Sequence, residues 1–280
     1  MPGRKDLDPS SNPRALIGAE LRHAREKAGL SQEACGEPLF VSGSYIGAME
    51  NGTRRIPVDI AIQLDKMLGT GDFFERNCGA ANQSKYPDHF AEAADAEAVA
   101  ERIKEYAPLL IPGLLQTEAY AREMFRGGRP TETDATIDKL VEARLDRTHL
   151  LEDPTKPMVW AILDEAVLRR EVGGPEVMAE ALGHIAALIR RRRVIVQVLP
   201  FSEGAHVATE GSLKLMFFDE APTLVYLQAL GTGRLEDDPA SVARYELTYD
   251  LLGASALSPQ ESLALIESVA EDYAHEDQEP

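Results

Sequence analysis

Apolar residues recur at helical spacing through the first part of the chain. Ile17, Leu21, Ala24 and Ala28 share one face of a first helix, which Gly29 ends. Ser31 stands as the cap of a second helix with Gln32 and Glu33 in its first turn. Ala34 sits where two helices touch, and Leu39-Phe40-Val41 reads as the turn that follows. Ser42 caps a third helix running through Ile46 and Met49 to Asn51-Gly52, a pair suited to the left-handed residue that ends a helix. Pro57 opens a fourth helix carrying Ile60, Ile62, Leu64, Met67 and Leu68. Gly69-Thr70-Gly71 and the polar stretch Asn77 to Asp88 read as a hinge or loop. Ala91 to Glu101 is rich in Ala and Glu, which predicts a solvated linker helix.

The pattern changes after Ile103. Tyr106 to Gly113 holds two prolines and a glycine and reads as an extended segment turning at Pro112-Gly113. The apolar residues beside this turn, Leu109-Leu110-Ile111 and Leu114-Leu115, fit either a core or a partner-docking edge. Helices are expected at Thr117–Arg126 and Thr133–Leu151, with a turn at Gly127 to Pro130 between them. Met158–Leu163 and Val194–Leu199 are short apolar runs of the kind that form buried strands, separated by a short helix and a long one opened by Pro175. Ser212–Phe218 and Thr223–Gln228 read as a hairpin. Two helices close the chain, at about Pro239–Leu252 and Ser258–His275, with Ser258 as cap and Pro259 in first position.

These elements predict an all-α N-terminal domain followed by a larger α+β domain with a small sheet. The expected boundaries are a disordered leader at 1–12, a helical domain at 13–75, a linker at 76–101, the α+β domain at 102–276 and a tail at 277–280. Charge separates the two halves. Of 29 Lys/Arg and 47 Asp/Glu, nine of each lie within Met1–Gly69, so the whole net charge of −18 falls after residue 69. An acidic chain repels phosphate, yet its helical head is neutral. No apolar run is long enough to span a bilayer, and the polar N-terminus has no apolar core of a secretory signal, so a cytoplasmic protein without membrane contact is expected. The two cysteines, Cys35 and Cys78, are too few for a disulfide framework or a structural zinc site.

The third helix carries the chemistry. Ile46 and Met49 suit a core, whereas Gly43, Ser44, Gly47 and Ala48 are small and are expected to face outward, with Tyr45 partly free. A helix without bulk or charge on its outer face can enter a major groove. The same small residues also suit close helix–helix packing, and both readings stand. Asn51, Arg54 and Arg55 follow where they could hold phosphate, and Arg22, Arg25 and Lys27 add positive charge on the first helix.

The order Gly29-Leu30-Ser31-Gln32-Glu33, then Val41-Ser42-Gly43-Ser44-Tyr45-Ile46, then Glu50-Asn51-Gly52 resembles the Cro/C1-type, or XRE, helix-turn-helix family. The resemblance implies that Gln32, Gly43, Ser44 and Tyr45 face DNA. With the residues above, the candidate DNA contacts are Gln32, Ser42, Gly43, Ser44, Tyr45, Ala48, Asn51, Arg54 and Arg55. Two departures stand out: Pro38 should shorten or bend the second helix, and Phe40 occupies a turn position where glycine is common.

Behind the head, five motifs in order resemble the DUF5753 domain: Ile111-Pro112-Gly113-Leu114-Leu115-Gln116-Thr117, Glu142 to Arg147, Leu163 to Arg169, Val196 to Pro200 and Ala256 to Ser262. In actinomycetes that domain sits behind XRE heads in Scr1-type, antitoxin-like regulators. The resemblance implies a small DUF397-type protein as partner. Helix-turn-helix modules usually pair across a two-fold axis, so a homodimer on a roughly palindromic duplex operator is expected. The alternative is a regulator with a small-molecule effector pocket in the C-terminal domain. An enzyme is not expected: Asp164 and Glu165 are adjacent and point apart, and the six histidines show neither HxH nor HxxxH spacing, so neither cofactor nor metal is expected. The run Arg190 to Arg193 either completes a helix end, where cations suit the dipole, or meets DNA or an acidic partner.

Overall fold

In the computed structural model, which describes residues 9, 13–82, 88–153, 157–219 and 221–276, the early helices start at the capping residues named above. The expected tail, and the expected leader apart from Pro9, lie outside the described residues. The chain divides into two compact units, one built on residues up to Val99 with Phe217–Leu224, the other on Ala100–Met216 with Val225 onward.

The first unit holds α1 (Pro13–Lys27), α2 (Gln32–Gly36), α3 (Gly43–Glu50), α4 (Val58–Leu68), α5 (Phe73–Asn82) and α6 (Asp88–Val99). Ser31 accepts the Ala34 N–H and Ser42 accepts the Tyr45 N–H, so both caps satisfy helix donors that would otherwise be orphaned. Pro38 ends α2 after a single turn, and a 3₁₀ turn follows at Glu37–Leu39. Leu21, Cys35, Ile46, Met49, Leu64, Phe74 and Cys78 form the core. Gly18 allows α1 to approach α3 closely: a Cβ there would lie 2.7 Å from the Met49 and Glu50 carbonyl oxygens.

Two predicted features of this unit differ. The segment expected to be a hinge begins with the second half of α5, whose Phe74 and Cys78 join the core. Its start is fixed from a distance: the buried Asp65 carboxylate on α4 accepts the Phe74 and Glu75 N–H groups at 3.1 and 2.8 Å. The helix expected to be a solvated linker, α6, buries Ala91, Ala93, Ala94, Ala96 and Glu97. Its Asp95 receives Arg14 at 2.5 Å and Arg55 at 3.5 Å.

The second unit is built on β1 (Arg102–Ala107), α7 (Glu118–Gly128), α8 (Asp134–Asp146), β2 (Met158–Asp164), α9 (Glu165–Arg169), α10 (Pro175–Arg190), β3 (Val194–Leu199), β4 (Leu213–Phe217), β5 (Leu224–Ala229), β6 (Thr232–Glu236), α11 (Pro239–Ser255) and α12 (Pro259–Glu276). The sheet order is β3-β2-β1-β4-β5-β6. β1, β2 and β3 are parallel, with Ile103 opposite Val159 and Ala161 opposite Val196, while β5 and β6 are antiparallel. β1 overlaps the segment read as extended only at Tyr106 and Ala107, with no element expected over residues 102–105, and β6 begins within Gly231-Thr232-Gly233, whose composition predicts a turn.

The β3 edge is closed by the start of α12. Leu257 donates to the Val198 carbonyl and Ser262 Oγ accepts the Val198 N–H, both at 2.9 Å. Ser258 and Glu261 form the reciprocal cap that begins this helix. The arginine run serves a helix end and a tether. Arg190 pairs with Glu267 at 2.7 Å, and Arg193 donates to the carbonyls of Leu150, Leu151 and Pro157 at 2.7–2.9 Å. Of the leucines after β1, Leu114 and Leu115 are core, whereas Leu109 and Leu110 are exposed.

The Arg193 tether yields a stability prediction. Arg193→Met keeps the stem but leaves those carbonyls without their donor, so unfolding in urea should show a loss of about 2 kcal/mol. The same change at the exposed Arg191 should cost almost nothing.

Candidate nucleic-acid interface

The first three helices are joined by a buried charge. Glu50, at the end of α3, is fully buried. Arg25 from α1 holds it with both Nε and Nη2, the latter at 3.0 Å, and also donates to the Leu30 carbonyl at 2.8 Å. Gln32 from α2 donates to Glu50 Oε2 at 2.9 Å. Arg22 stands 3.6 Å from the same carboxylate and donates to Asn51 Oδ1. The hydrogen bond to Glu50 raises the Arg25 pKa further, so the guanidinium keeps its charge. Burial, and next the charge on Glu50, push the neighbouring Cys35 thiol up, which keeps it neutral. Both cysteines are buried and free.

This arrangement sorts the candidate DNA contacts. Ser42 is exposed, and Ser44 and Tyr45 are half-exposed at the start of α3, with the two serine hydroxyls 2.8 Å apart. Arg54 lies with its guanidinium carbon 4.0 Å from the Tyr45 ring centre, so the pair forms one surface. Gln32 and Asn51 are half-exposed but committed on one side, to Glu50 and Arg22 respectively. The helix ends as its sequence predicts, with Gly52 at φ +69°.

Three candidates are placed elsewhere. Gly43 is buried against α2, where a Cβ would come within 2.9 Å of the Glu33 backbone nitrogen. Ala48 is only 1% exposed and belongs to the core, and its carbonyl accepts the Thr53 and Arg54 N–H groups at 3.0 and 3.1 Å as the chain leaves α3. Arg55 keeps only 12% of its side chain exposed and points to Asp95. Gly47 is likewise covered: a Cβ would meet the Gln32 amide at 3.1 Å. Helix packing thus accounts for Gly43, Gly47 and Ala48, and the outward face of α3 is confined to its first turn. Arg25, expected to add surface charge, is neutralised inside.

Sequence reasoning missed one exposed side chain. Phe40 is 97% exposed in the turn before Ser42 and holds φ +56°, the left-handed region that favours glycine. Its signal was present as an aromatic at a glycine position. Glu50 was missed because a single Glu near a helix end reads as solvated.

A second polar cluster lies at the carboxyl ends of β1 and β2. Tyr106 donates to Asp164 Oδ2 at 3.3 Å and stands 3.3 Å from His206 Nε2. Ala208 N–H donates to His206 Nδ1, so Nε2 carries the proton of the neutral ring. Burial foremost, then the Asp164 charge, pushes the Tyr106 phenol well up, so it remains a donor. Asp164 Oδ1 caps α9, and Glu165 accepts the Phe201 N–H. Among the described residues no group of His, Cys, Asp and Glu side chains is arranged to hold a metal ion, and no helix is long and apolar enough to cross a membrane.

Comparison with known proteins places both parts. A family model described as a helix-turn-helix domain matches residues 16–72, and the model of a domain of unknown function, DUF5753, matches residues 90–268. No curated protein and no solved structure matches the chain. The chain belongs to the DUF5753 family and carries a helix-turn-helix DNA-binding domain ahead of the DUF5753 region.

Proposed function

We propose that this protein is a sequence-specific transcriptional regulator that meets duplex DNA through the turn and first helical turn around Ser42, and whose C-terminal unit dimerises and receives a signal. The observation that carries the DNA reading is the surface formed by Phe40, Ser42, Ser44, Tyr45 and Arg54, which the Glu50 clamp holds on a rigid three-helix frame. Hydroxyls at Ser42 and Ser44 suit base edges or phosphate, Arg54 suits phosphate, and an exposed aromatic suits a thymine methyl or the sugar wall. Gln32 and Asn51 retain partial exposure and join this surface with their remaining hydrogen-bonding capacity. The signal, by resemblance to Scr1-type regulators, is a small DUF397-type protein.

The cluster of Tyr106, Asp164 and His206 favours a second reading of the signal. It sits at the carboxyl ends of parallel strands, beside the β1–β4 boundary where strand order reverses, the usual location of ligands in open sheets. A small effector bound there should raise the melting temperature, and Asp164→Asn should abolish that rise. A rise that survives the substitution argues against this location.

Two substitutions test the DNA reading by fluorescence anisotropy on duplexes selected from a random pool. Arg54→Ala should weaken binding by a similar factor on every sequence and reduce the salt slope by about one. Arg55→Ala should instead lower the unfolding midpoint and leave that slope unchanged. Phe40→Gly should stabilise the protein by about 1 kcal/mol by relieving the left-handed backbone, yet weaken binding. Unchanged affinity for both Arg54→Ala and Phe40→Gly would remove this surface from the interface.

A further inference from the structure

Helix α11 is apolar on two faces. Inward, Val242, Tyr249 and Leu252 are buried, and the Tyr249 hydroxyl donates to the Trp160 carbonyl at 2.7 Å. Outward, Ala240, Ala243, Leu247, Leu251 and Ala254 recur in steps of three or four residues, and all are exposed. Leu247 is 60% and Leu251 45% exposed. A helix covered on one side only should carry charge along the centre of its free face, and this one carries none there. The charges lie on the flanks, sorted by sign. At about 100° per residue, Arg244 falls on one side of the Leu247 stripe, and Glu246 and Asp250 fall on the other.

That sorting selects both the occupant and its orientation. A two-fold axis running along the helices brings each copy's Arg244 flank against the other copy's acidic flank, twice. An axis perpendicular to the helices brings each flank against itself and sets Glu246 and Asp250 beside their own counterparts. Asp250 already accepts Lys104 Nζ at 3.0 Å, but its side chain is 65% exposed and open to a second cation. We infer that the outer face of α11 is a self-association surface on which two copies of this chain pair with their α11 helices side by side and parallel. The inference rests on the reading of the C-terminal unit as a dimerisation unit and supplies its surface. One such helix pair buries on the order of 1,000 Å² in total, at the low end for a specific interface, so association should be reversible.

The test uses the full chain without DNA. Sedimentation equilibrium between about 1 and 100 µM should show a monomer–dimer equilibrium, and Leu247→Glu should raise the dissociation constant at least about tenfold with an unchanged unfolding midpoint. If that variant unfolds, Arg244→Glu provides the second arm: it should weaken the dimer, and adding Glu246→Arg and Asp250→Arg should restore it. Orientation is read by single cysteines: Ala240→Cys and Ala254→Cys should each cross-link to its own copy under oxidation. A chain that stays monomeric, or a dimer indifferent to Leu247→Glu or Arg244→Glu, overturns the proposal. So does cross-linking only when Ala240→Cys and Ala254→Cys proteins are mixed. Binding of one head to a half-site is measured separately and should survive Leu247→Glu, so failure here does not count against the DNA reading.

Discussion

The Glu50 carboxylate is the constraint on which the head depends. It lies at the meeting point of three helices and is shielded from water, so it must be neutralised by groups that those helices supply. Arg25 provides two donors from α1 and Gln32 one from α2, and each is thereby fixed relative to α3. Breaking such a pair by removing one partner costs about 3–5 kcal/mol, because the other charge is stranded. A nonpolar cluster would stabilise the bundle as well. What the ion pair adds is geometry: hydrogen bonds fix angles that packing alone leaves adjustable. The first turn of α3, where Ser42 caps and Ser44 and Tyr45 emerge, is held at a set attitude to the rest of the head.

That attitude explains why so little of α3 is free. Gly43 and Gly47 lack a Cβ because Glu33 and the Gln32 amide occupy the space, and Ala48 fills the core. What remains exposed around the start of α3, and is proposed above to meet a duplex, is a short turn, two hydroxyls, an aromatic ring under a guanidinium, and Phe40 in a backbone conformation that costs energy. Strain of this kind clusters at functional sites, and for that reason Phe40 is included in the proposed surface. On the proposed reading, the acidic charge outside the head would raise the energy of approach to any phosphate backbone, lowering indiscriminate binding and leaving the neutral head to dock by contact.

Much of this was legible in the sequence, and the limits were physical. Periodicity and capping residues placed α1 to α4, the strands β2 to β5 and the last two helices, since those signals are local. The elements that escaped depend on distant residues. α5 is begun by Asp65 from another helix, and α6 looks solvated because Ala and Glu are equally common on exposed helices, yet its alanines are buried. β6 opens with Gly and Thr and has a pattern only when paired with β5. At the candidate interface Ser44 and Ala48 stand one turn apart on the same side of α3, yet Ser44 is half-exposed and Ala48 is buried, a difference that helical spacing alone does not carry. Arg55 could not be told from Arg54 by sequence, because the difference is Asp95, forty residues on.

The most direct measurement is amide hydrogen exchange on the full chain, with and without a duplex retained from a random pool at low ionic strength. The account requires that a duplex be retained and that exchange slow at Phe40 to Tyr45 and around Arg54, while α4 is unchanged. Failure to retain any duplex, or protection that appears only outside these segments, would contradict it.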